Sequence, residues 1–185
     1  MYYSDMVNAV QPGISSTDFV VEGRIEDAVL QFCQETGIWV TNLTAINTVA
    51  DEDTYSLTPP DGAVITAVLS IKDASGYEMG FTVEDDFSAI ILDATPSSVF
   101  SIVPRVTLIP EVDAGEFPDF IYYRHKEALI AGARYKLFEM PNRTWSNDKE
   151  AAKYYAKFRS GITKANQSIL MNRKRESFVR LIPFV

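Results

Sequence analysis

The sequence predicts an α+β protein: a helical bundle, made of an N-terminal helix and a C-terminal α-hairpin, with an inserted antiparallel β-sheet region and an extended C-terminal arm. Three observations predict it. Apolar residues recur at helical spacing towards both ends of the chain. Short β-branched runs separated by turn residues fill the middle. No helical stretch separates those runs, which argues against the βαβ units of nucleotide-binding folds. The 185 residues suit one domain, and 46% apolar residues with a mean hydropathy of −0.04 are enough to fill a core. Residues 1–172 are read as that single domain and 173–185 as the arm.

The first helix is expected from about Thr17 to Thr36. Ser15, Ser16, Thr17 and Asp18 are N-cap candidates, Val21, Ile25, Ala28, Val29 and Phe32 share one face, and Gly37 closes the helix. Cys33 lies beside that stripe and reads as a small buried apolar residue. From about residue 39 to 111 the candidate strands are Leu43–Val49, Thr54–Leu57, Ala63–Ile71, Tyr77–Val83, Ala89–Leu92 and Val99–Ile109. Pro59-Pro60-Asp61-Gly62, Asp73-Ala74-Ser75-Gly76 and Asp93–Ser98 supply the turns between them.

Helix returns at Pro118, a residue suited to a first turn, and runs to about Met140 before Pro141. Ala128, Gly132 and Ala133 are small, so a neighbouring backbone can come close. The last helix is expected from about Asn147 to Met171, opened by an Asn147/Glu150 capping box. Ala151, Tyr155, Phe158, Ile162, Ala165 and Ile169 form its apolar seam, with Lys149, Lys153, Lys157 and Lys164 off the seam. The short connection 142–146 makes the two helices an antiparallel hairpin. Arg173-Lys174-Arg175 follow, then Phe178-Val179-Arg180-Leu181-Ile182-Pro183-Phe184-Val185, six of whose eight residues are apolar and need a surface to cover. Either the tail returns to its own sheet, or it is an arm that docks on a partner.

The net charge of −8 conceals an asymmetry. Met1–Glu116 holds 19 acidic and 3 basic residues, a net −16; the rest holds 6 acidic and 14 basic, a net +8. Such a dipolar molecule attracts its own copies head to tail. The basic part could also meet nucleic acid, but no zinc-finger, leucine-zipper or helix-turn-helix spacing accompanies it. No apolar run approaches the ~20 residues of a membrane helix, and the first residues lack the pattern of a signal peptide, so a reducing cytoplasm is the expected compartment.

Chemistry-bearing groups are sparse. One cysteine and one histidine exclude disulfide frameworks and multi-histidine metal sites within the chain. His125, in Tyr122-Tyr123-Arg124-His125-Lys126-Glu127, is flanked by cations with no evident pocket, so the expectation is a surface or interface histidine. Asp51-Glu52-Asp53 and Glu84-Asp85-Asp86 lack calcium-loop spacing, and no glycine-rich phosphate cradle occurs. The expectation is a protein without catalytic activity, cofactor or metal.

Several residues, in order, carry a resemblance: Phe32-Cys33 and Trp39, a β-rich insertion, Phe117-Pro118-Asp119, Glu127-Ala128 to Gly132-Ala133, Met140-Pro141, Trp145-Ser146, Ala151, Tyr155, Phe158, Gly161-Ile162 and Ala165. Over roughly residues 17–171 the sequence resembles the head-tail adaptor (connector) proteins of tailed bacteriophages. The resemblance implies a structural virion protein at the head-tail junction, made in the host bacterial cytoplasm. It implies a ring of twelve subunits that joins the portal to a tail or nozzle protein and continues the DNA channel without sequence-specific binding. It further implies subunit packing through Tyr155, Phe158, Ile162, Ala165, Ile169, Ala128 and Gly132. Portal binding would fall to an arm of Arg173, Lys174, Arg175, Phe178, Val179, Leu181, Ile182 and Phe184. The alternatives are a tail-completion or tail-tube component, and a nucleic-acid-associated protein that uses the basic hairpin.

Overall fold

The computed structural model describes residues 1–176, with side chains to residue 171. The fold is α+β, as the patterning predicts, and it comprises two compact units. Residues 1–38 and 115–176 form a helical unit; residues 39–114 form a β unit.

The helical unit contains α1 (Ser4–Val10), α2 (Asp18–Thr36), α3 (Asp119–Phe138) and α4 (Asp148–Glu176). In α2 the whole predicted stripe, Val21, Ile25, Ala28, Val29 and Phe32, is buried together with Cys33. Thr17 holds the N-cap position without a side-chain bond, and Gly37 ends the helix at φ 57°, its N–H donating to the Cys33 carbonyl. The seven-residue α1 was not expected, and buries Met6, Val7 and Val10. Its C-terminal carbonyls are met by Arg134 of α3, whose Nε donates to Val10 at 3.1 Å and Nη2 to Ala9 at 3.3 Å. A cation at a helix C-terminus satisfies orphan acceptors and opposes the helix dipole.

α3 follows Pro118, and its backbone departs from helical angles at His125 (φ −128°, ψ 18°). α3 and α4 are antiparallel, since Tyr154 meets Arg134, Phe158 faces Gly132 and Gly161 faces Ala128. The small residues do what their size predicts: a Cβ on Gly132 would lie 2.8 Å from the Phe158 ring and 3.0 Å from Cβ of Ala28, so α3 is approached by α4 and α2 at one point. Asn147 caps α4 through Oδ1, which accepts from the N–H of Lys149 and Glu150. The expected reciprocal box does not close, because the Asn147 N–H donates to the Phe138 carbonyl and the Glu150 carboxylate pairs with Lys153 at 2.9 Å.

The last helix continues to Glu176, beyond the expected end at Met171. Arg173, Lys174 and Arg175 therefore stand on helical backbone. The physical reason is that no glycine or proline interrupts residues 172–176, and lysine and arginine are good helix formers.

The β unit holds β1 (Trp39–Asn42), β2 (Ile46–Asn47), β3 (Thr54–Ser56), β4 (Ala63–Asp73), β5 (Glu78–Met79), β6 (Phe81–Val83), β7 (Ala89–Leu92) and β8 (Ser101–Pro110). All pairings are antiparallel, as expected. One sheet runs β1-β8-β4-β5 with β2 also on β8; a second runs β3-β7-β6. Two register shifts, after Ile65 and after Val68, bend the long β4–β8 ladder. The two sheets enclose a core of their own that includes Tyr55, Leu57, Ile65, Ile71, Ile90, Leu92, Ile102, Val106 and Leu108, with Trp39 and Phe81 packed against it.

Candidate interaction surfaces

Each group with chemical potential sits in a structural setting. Cys33 is fully buried, and burial pushes its thiol up to about 12. His125 is half-buried in the helical unit with its ring 5.0 Å from that of Phe32; burial foremost, then the Arg124 charge, lowers its pKa. The backbone leaves helical angles at this residue, and its ring packs beside Phe32 of α2. Asp73 Oδ1 accepts from the N–H groups of Ser75 and Tyr77 and from the Ser75 hydroxyl, so it organises a turn. Among the described residues, no group of three or more His, Cys, Asp or Glu side chains is placed to hold a metal ion. An open depression at one end of the β unit is lined by Leu57, Pro59, Pro60, Ile65, Phe87 and Glu111 among others.

The residues expected at subunit contacts are mostly used within the chain. Phe158 (0% exposed), Ile162, Ala165, Ala128 and Gly132 are buried in the helical unit, so they cannot pack a neighbouring copy without opening it. Ile169 is half-buried, and Tyr155 is 43% exposed, its ring 5.0 Å from Tyr135. Tyr154 packs on α3 as well. Its ring stacks on Phe138 at 5.6 Å, its hydroxyl accepts from Arg134 at 2.7 Å, and the cations of Arg134, Lys153 and Lys157 lie 5.4 Å from its centroid. Arg143 covers Trp145 in the loop between α3 and α4 in the same manner.

What remains at the surface is charge. Lys149, Lys153, Lys157 and Lys164 are exposed on α4. In the β unit, 12 acidic residues face 2 basic ones, a net −10, and Asp51, Glu52, Glu84, Asp85, Asp86 and Asp93 are exposed. At the far end of α4, Leu170 and Met171 are 58% and 69% exposed. Their register with α3 places them level with its first turn, so the last residues of α4 run past α3. Phe178, Val179, Leu181, Ile182 and Phe184, the apolar part of the expected arm, lie outside the described residues.

No family model matches this sequence, and no curated protein matches it.

Proposed function

We propose that this protein is a structural virion protein, a head-tail adaptor that assembles as a ring of twelve subunits between portal and tail. The observation that carries the reading is the order of parts: a helical unit interrupted between α2 and α3 by a compact acidic β unit, and closed by a basic helix that leads into an apolar terminal sequence. That order matches what the resemblance implies. The arrangement suits assembly more than catalysis, because its distinctive surfaces are charged faces and an exposed apolar helix end. The terminal sequence from Phe178 is the portal-binding element in this reading, with DNA passing through the ring.

The test is to mix the purified protein with its cognate portal ring and image the mixture by electron microscopy. A collar with the portal's symmetry is expected, and a chain ending at Glu176 should remain folded yet form none. Absence of a collar with the intact chain would overturn the reading and favour a tail-side component. The lysine face of α4 favours a second reading, a nucleic-acid-associated protein, which requires tight binding to generic duplex DNA that weakens steeply with salt.

A further inference from the structure

We infer that the lysine face of α4 docks on the outer face of the β3-β7-β6 sheet of a second copy of this chain. The inference rests on the reading of the protein as an assembling subunit and names the two surfaces that meet.

The donor surface follows from helix geometry. Lys149, Lys153, Lys157 and Lys164 are separated by four, four and seven residues, which at 100° per residue confines all four to an arc of about 80°. They span about 22 Å of helix at 1.5 Å per residue. The arc lies opposite Ala151, Phe158, Ile162 and Ala165, which are buried against α3 and α2, so it faces away from the helical core. Between Ala151 and Arg175 the helix contains no aspartate or glutamate. Lys153 pairs with Glu150; Lys149, Lys157 and Lys164 make no ion pair among the described residues.

The acceptor surface follows from strand register. In the three-stranded sheet, Tyr55, Ile90 and Val83 align and point into the core, while Thr54, Ile91 and Thr82 align on the outer face. That outer row sets the half-buried Ile91 between two exposed threonines, a strip on which a helix can lie. Acids bracket it at both ends. Glu84, Asp85 and Asp86 form the turn from β6 to β7. At the other end Asp53 is tied to β7, its carbonyl accepting from Leu92 N–H at 2.9 Å, with Asp51, Glu52 and Asp93 beside it. The four residues of β7 that lie between the two acidic groups measure about 13 Å.

A second copy is favoured over a polyanion because every copy carries the β unit's net −10, which repels nucleic acid and attracts α4. The contact joins two different surfaces, so it is heterologous and can repeat from copy to copy, as a ring requires. Exposed ion pairs of this kind are individually weak and screened by salt.

Sedimentation velocity tests it on the full chain at about 20 mM and about 500 mM salt, on either side of the ~10 Å screening length at 0.1 M. Wild type should associate with rising concentration at low salt and revert to the 20.7 kDa monomer at high salt. The variant Lys149→Glu/Lys153→Glu/Lys157→Glu/Lys164→Glu and the variant Glu84→Lys/Asp85→Lys/Asp86→Lys should each stay monomeric alone and associate when mixed. Circular dichroism establishes that both are folded. A wild type that is monomeric at every concentration, reversal variants that associate alone, or a mixture of folded variants that stays monomeric would each overturn the proposal. So would a monomeric wild type that retards a generic DNA duplex, which would assign the lysine face to nucleic acid. A portal collar formed by a protein that is monomeric in solution would sink this contact and leave the adaptor reading standing; self-association without a collar would do the reverse.

Discussion

Replacing Gly132 by alanine would set a methyl 2.8 Å from the Phe158 ring and 3.0 Å from Ala28, in a place where neither neighbour has room to retreat. Alanine gains about 1 kcal/mol in helix propensity over glycine, while overpacking costs about 1–3 kcal/mol, so Gly132→Ala should lower stability in urea denaturation. Gly161→Ala meets Cβ of Ala128 and should behave likewise. There the test is sharper, because Ala128→Gly removes the opposing methyl, and the double variant should recover part of the loss. Cys33 makes a second residue-scale prediction. Its thiol, about 9.0 when unfolded and about 12 when folded, binds its proton more tightly in the native state. The stability this confers is complete below pH 9 and lost as the pH rises towards 12, by up to about 1.4 kcal/mol per unit. Tyr3, pushed up chiefly by burial, acts in the same direction. Urea midpoints measured at pH 8 and pH 10 should therefore fall, and an aromatic disulfide reagent should label Cys33 only on unfolding.

At the scale of elements, the cap of α4 is the most exposed to test. Asn147→Ala removes the acceptor for two N–H groups and should cost about 1 kcal/mol, with loss confined to the hairpin. This cap was legible in the sequence, as were the types and approximate limits of α2, α3 and α4, because their apolar repeats are long. β7 and the long β4 and β8 were legible for the same reason, each being a continuous β-branched run between turn residues. α1 was not, since seven residues give too little periodicity, and what holds it is Arg134, more than a hundred positions away. Leu43–Val49 reads as one strand, yet the structure has β1 and β2 on either side of Leu43–Ala45, both pairing with β8. Tyr77–Val83 likewise divides at Gly80, where a Cβ would strike the Asp93 side chain. Both breaks are set by a distant strand, and local pattern carries no record of them. The candidate surface was half legible: the lysines off the seam follow from sequence, whereas the acids that bracket one small sheet become neighbours only through its pairing.

For the whole molecule, charge is divided between the two units more unevenly than the total suggests. The β unit holds 12 acidic and 2 basic residues, leaving the rest of the chain with 13 acidic and 15 basic, a net +2. Like charges in a small unit repel, and salt screens that repulsion within about 10 Å at 0.1 M. Added salt should therefore stabilise the β unit and leave the helical unit nearly unchanged, while it weakens association between copies. The same ions would then act in opposite directions on folding and on assembly, a separation that sedimentation and denaturation measured across one salt series would display.

Such a series needs a signal that distinguishes the units, and the placement of the tryptophans provides it. Of the two in the chain, Trp39 packs against the β core and Trp145 lies beneath Arg143 beside α4. Trp145→Phe leaves a chain that fluoresces from the β unit alone, and Trp39→Phe leaves one that reports only on the helices. The protein thus carries an intrinsic optical label in each half, and the gap between the two melting curves reads the energetic coupling across an insertion directly, without any dye.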